Sequence, residues 1–88
     1  VMQIVTGRTG AYFIDIETEP TPLEELRGIV KQRLTDNENL ILSLETHPEA
    51  PYGSMIDALD EVELAYAELE QANIRREHRI SLKMLEIE

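Results

Sequence analysis

Apolar residues change their spacing four times along this chain, and each change marks a new element. Residues 1–6 (VMQIVT) are β-prone. In residues 11–17 (AYFIDIE), Tyr12, Ile14 and Ile16 alternate with Phe13, Asp15 and Glu17. A period of two marks a half-buried strand. Gly7 and Gly10 bracket the segment between them, where a short loop needs positive φ. A β-hairpin is predicted.

The spacing then becomes helical. Leu23, Leu26, Val30 and Leu34 form one stripe, widened by Ile29. Thr21 is expected at the N-cap, Pro22 at the first helical position and Glu24 as the reciprocal half of a capping box. Glu24 and Glu25 near the start, and Lys31 and Arg33 near the end, suit the helix dipole. The helix should end near Asp36 and Asn37.

Residues 39–45 (NLILSLE) return to a strand, with Leu40, Leu42 and Leu44 toward the helices. Pro48 and Pro51 make residues 47–51 a loop. A second helix is predicted over 54–72. Its stripe is Met55, Leu59, Val62, Tyr66 and Leu69, and Ala58, Ala65 and Ala72 allow close approach to a sheet. Residues 73–79 connect it to a last strand over 80–87. There Ile80, Leu82 and Met84 share a face while Leu85 and Ile87 fall on the other, which suggests a bulge or a strand end covered by another chain.

The order β-β-α-β-α-β implies right-handed crossovers. The expected fold is an α+β two-layer sandwich, a mixed α/β sheet with two helices on one face. At 88 residues the chain makes one domain, 1–88, with a thin core.

Charge narrows the partners. The chain has 18 acidic and 8 basic residues, a formal net charge of −10. Nucleic acid is a poor fit, because phosphate contacts need clustered Lys and Arg. No Lys or Arg falls between Arg33 and Arg75, and residues 34–74 carry ten acids, so the net charge lies there, centred on the outer face of the second helix. With no Cys there is no disulfide or thiolate site. No apolar run approaches the ~20 residues of a spanning helix, and no signal peptide is seen. The first residue is Val, and the chain reads as a piece cut from a longer protein.

Candidate chemistry is sparse. Asp57, Asp60 and Glu61 read as a solvated helix face rather than a metal or acid–base cluster. His47, between Glu45 and Glu49, reads as a surface histidine, since the only other is His78. Gly7 and Gly10 join two strands and do not open a helix, so they are turn residues rather than a phosphate loop. Arg75, Arg76 and Arg79 cluster with His78. They could hold an anion, but neutralising a helix C-terminus and nearby acids is the simpler role. Leu64 is out of place on the acidic stripe of Asp57, Glu61 and Glu68. No nucleophile or H-E-x-x-H arrangement occurs, so an enzyme is not expected, and no cofactor or metal is assigned.

One resemblance adds to this reading. The order TPLEELRGIVKQRL, LILSLE, PYGSMIDALDEVELA and RISLKML is similar to that of the soluble domain of ExbD/TolR biopolymer-transport proteins. Pro51 and Tyr52, ahead of a helix carrying Ile56-Asp57 and Leu59-Asp60, are the most specific piece; the closing Ile80-Ser81-Leu82 is next. Nearly the whole chain is covered, with a longer stretch between Ala65 and Ile80 than many members have. The resemblance implies a bacterial inner-membrane protein with one spanning helix and a cytoplasmic tail ahead of residue 1, and with this domain in the periplasm. It implies work beside an ExbB/TolQ-like subunit in a proton-driven motor. It also implies dimerisation and relay of motion to a TonB-like or TolA-like protein, or engagement of peptidoglycan. The family's proton-coupling Asp lies in that spanning helix, so none of its functional residues carries over.

An open sheet leaves edges, and strand addition is a natural way to bind. The last strand, Met84–Glu88, or the opening hairpin is therefore expected to make dimer or partner contacts, with Met84, Leu85, Glu86, Ile87 and Leu64 as the named residues. The alternative class is a stand-alone cytosolic β/α regulatory module that dimerises and binds a small ligand.

Overall fold

The computed structural model describes residues 1–15 and 18–85. Strand β1 spans Met2–Thr6 and β2 spans Tyr12–Ile14. Helix α1 follows at Leu23–Asp36, then β3 at Leu42–Thr46, α2 at Tyr52–Gln71 and β4 at Ile80–Met84. The sheet runs in the order β2-β1-β3-β4. β1 and β2 are antiparallel, with Ile4 opposite Ile14. β1 and β3 are parallel, with Met2 opposite Leu42, and β3 and β4 are parallel, with Leu42 opposite Ile80. The sheet is mixed and the fold is α+β, as the order of elements predicts.

One core joins the layers. Met2 and Ile4 from β1, Tyr12 and Ile14 from β2, and Leu42 and Leu44 from β3 meet Leu26, Val30 and Leu34 of α1. Helix α2 adds Ala58, Val62, Ala65, Tyr66 and Leu69. Each large side chain buried this way contributes roughly 1.5–3 kcal/mol. Ala58 and Ala65 are wholly buried, so their small size lets α2 approach closely; Ala72 is exposed at the helix end and does no such work.

The helix ends depart from expectation in informative ways. Thr21 does not cap α1. Its backbone N–H donates to the Tyr12 carbonyl at 2.7 Å, extending the edge of β2, and no side-chain cap bond forms. Pro22 thereby becomes the N-cap instead of the first helical residue. Helix α2 starts two residues before the predicted position, because Pro51 already supplies the extended residue ahead of the helix. Its far end is a Schellman motif: Asn73 takes φ 63°, its N–H donates to Glu70, and the Ile74 N–H donates to Leu69. Ile74 then packs on the core. In β4 the register is regular through Met84, and the Leu85 N–H continues it to Thr46, so no bulge interrupts the described residues.

β2 ends at Asp15, which has φ 53°. Its N–H donates to the Gln3 carbonyl, and its Oδ1 accepts the Gln3 N–H at 3.0 Å. The carboxylate thus stands in for a backbone acceptor. Its Oδ2 lies 2.9 Å from Arg33 on α1, so one side chain ties β1, β2 and α1 together. Burial pushes this carboxyl pKa up, but the Gln3 N–H and the Arg33 guanidinium outweigh burial and hold it below its ordinary value. A depressed folded pKa stabilises above the unfolded value, and that stability is lost as pH falls through the folded one. Asp15→Asn should therefore be less stable at neutral pH and lose less stability on acidification. Urea midpoints for both proteins at neutral and acid pH check this; parallel pH curves would refute it.

Candidate functional site

In a parallel pair, residues in register point to the same side of the sheet. Leu82 is paired with Leu44 and Met84 with Thr46. Leu44 is covered by the helices, yet Leu82 is 53% and Met84 64% exposed on that same side. The helix layer stops short of the end of β4. β4 is also the last strand of the sheet, so among the described residues its outer backbone edge has no strand beside it.

A groove of about 250 Å³ adjoins this edge. Its walls are Thr46 at the end of β3, His47, Pro48 and Ala50 from the β3–α2 loop, Tyr52 and Met55 from the first turn of α2, and Met84. Tyr52 is 78% exposed. Exposed apolar side chains beside an open sheet edge make this groove the candidate interaction surface.

The loop around the groove is held from several sides. His47 Nδ1 accepts the Glu49 N–H at 3.0 Å, so that nitrogen is not free for a metal. Arg8 in the hairpin loop pairs with Glu49 at 2.7 Å. The Tyr12 hydroxyl donates to the Ser54 carbonyl at 2.6 Å, anchoring the start of α2 over β2. Burial, then the nearby Asp57 charge, raise the Tyr12 pKa, so the phenol remains a donor. Gly10, at φ +90°, lies against Ser54 and Pro51; a Cβ there would come within 2.8 Å of Ser54 Oγ.

The expected contact residues are scattered. Met84 lies on the groove. Leu85 is only half-exposed. Glu86 and Ile87 lie outside the described residues. Leu64 is 43% exposed on α2, away from the groove. Pro51 caps α2, and Tyr52 opens it and lines the groove. Leu82 and Met55 also belong to this surface: Met55 lies on the apolar stripe of α2 and Leu82 shares a strand face with Ile80, and only the position of the helix layer reveals them.

The acidic zone needs a correction. Glu61 and Glu68 are not simply solvated. Arg27 reaches both, at 2.9 Å each, and Lys31 reaches Glu68 at 3.1 Å. Bonds from Lys31 and then Arg27 hold the Glu68 carboxyl below its usual range. Among the described residues no group of three or more His, Asp or Glu is placed to hold a metal. Nor is any helix of the described residues long and apolar enough to cross a membrane.

No protein-family model matches this chain, and no curated protein does. What the geometry defines is a class: a two-layer α+β domain with one apolar sheet edge open among the described residues.

The position of α2 over β2 is testable at Gly10. Gly10→Ala should cost about 1 kcal/mol or more, from both the positive φ and the Ser54 hydroxyl. Adding Ser54→Ala should recover part of the loss, measured by urea denaturation. Full recovery would show that φ strain contributes nothing.

Proposed function

We propose that this chain is the periplasmic domain of an ExbD/TolR-type protein. In this reading it couples a proton-driven inner-membrane motor to a TonB-like or TolA-like partner, and it does so as a homodimer. It acts by binding, not by chemistry. The observation that carries the proposal is the β4 edge: Leu82 and Met84 stand exposed on a strand whose outer side has no neighbour among the described residues. A strand from a second protein added there would gain main-chain hydrogen bonds and bury both side chains.

Two further points support it. The β-β-α-β-α-β order with a mixed sheet is the fold the resemblance implies. Tyr52, in the most specific part of the resemblance, lines the groove next to that edge. The net negative charge lies in residues 34–74, so a basic partner segment would be steered to that part of the surface in a salt-sensitive way.

The double variant Leu82→Lys, Met84→Lys should remain folded, since both side chains face solvent. It should be monomeric by sedimentation velocity at concentrations where the wild type is dimeric. An unchanged dimer, or a wild type that stays monomeric when concentrated, sinks the edge reading. The cellular role has its own test. The full-length protein should carry ~20 apolar residues upstream, with an acid among them, and should co-purify with an ExbB/TolQ-like subunit from solubilised membranes. An enzymatic domain upstream would instead favour a cytosolic regulatory module.

A further inference from the structure

At the opposite end of α2, Tyr66 presents an anomaly. Its side chain is 3% exposed, yet its hydroxyl has no hydrogen-bond partner among the described residues. An orphaned buried hydroxyl costs about 1–3 kcal/mol. The Arg79 backbone lies nearby, but its N–H is already donated to the Glu77 carbonyl. Burial raises the Tyr66 pKa, so the group is a phenol with a proton to donate.

Tyr66 borders a pocket of about 140 Å³, walled also by Glu70, Arg75, Arg76 and His78. Two guanidinium groups against one carboxylate leave this wall at net +1 with His78 neutral. Arg76 is fixed in place: its Nε donates to the Leu34 carbonyl at the end of α1 at 2.8 Å, and its Nη1 to the Arg75 carbonyl at 3.0 Å. His78 stacks on the Tyr66 ring at 4.1 Å between centroids and lies 3.5 Å from Glu63.

The charges here run against the rest of the molecule. Acids outnumber bases by ten, and Arg8, Arg27, Lys31, Arg33 and Arg79 each have a carboxylate partner. Among the described residues Arg75, Arg76 and Lys83 have none, and Arg75 and Arg76 are adjacent and line the same pocket as Tyr66. Stapling α1 accounts for Arg76 Nε. It accounts for neither Arg75 nor Tyr66.

We propose that this pocket binds a small oxyanion, a phosphate or carboxylate group, held by the Tyr66 hydroxyl and the Arg75 guanidinium, with Arg76 and His78 completing the wall. Charge-assisted bonds from Arg to such a group are the strong kind. The site is about one helix length from the β4 groove and does not depend on the reading of that edge.

The test uses inorganic phosphate and, in a parallel arm, acetate, each at constant ionic strength. Side-chain NMR should show saturable shifts at Arg75 Nε and the Tyr66 ring, with a dissociation constant of about 1 mM. Tyr66→Phe and Arg75→Gln should each weaken binding about tenfold. Tyr66→Phe should not lower the thermal midpoint, because no hydrogen bond is lost in the free protein. If that variant fails to fold, Arg75→Gln at an exposed position still decides the matter. A saturable response to one anion alone names the chemical source. Saturation by neither, or equal binding by Arg75→Gln, overturns the proposal and leaves a cavity filled by water.

Discussion

The placement of α2 over the sheet is the constraint on which the other features depend. The Tyr12 hydroxyl and the Gly10 loop hold its first turn toward β2. Its last turn and Ile74 pack on the core at the end where β4 begins. Helix α2 therefore lies near β4 at Ile80 and away from it at Met84. Burial along β4 falls in that order, from partly covered Ile80 to exposed Leu82 and Met84. The apolar edge and the groove beside it follow from a helix pinned at one end to the far side of the sheet.

Charge reinforces the same geometry. Helices α1 and α2 run side by side, and Arg27 and Lys31 bridge to Glu61 and Glu68 across their outer seam. These groups are partly exposed, so each pair adds little by itself. Their arrangement nonetheless places positive charge beside the most acidic part of the chain. At the lower end of the same seam, Arg76 satisfies a carbonyl of α1 that the helix leaves unpaired. The acids that remain lie mostly on exposed ground, where a basic partner would meet them.

Where reading the sequence failed, tertiary contact had overridden a local rule. Thr21 followed by Pro22 and Glu24 has the pattern of a capping box, but the Thr21 backbone was claimed by β2, and the hydroxyl lost its place. Met55 belongs to the apolar stripe of α2 and so reads as core. Spacing says which side of an element is apolar; it does not say whether another layer reaches it. The acidic stripe read as solvated because its partners, Arg27 and Lys31, stand more than thirty residues away in sequence.

The sequence by itself determined the elements, their order and which side of each is apolar. Periods of two and 3.6 are local properties of the backbone, and short connections leave few ways to assemble six such elements. It also located the net charge. Tertiary structure alone decided which apolar residues stay uncovered, which carboxylates find partners and which buried hydroxyl does not. Each of those outcomes depends on where a helix comes to rest across a sheet, and that is fixed by contacts between residues far apart in the chain.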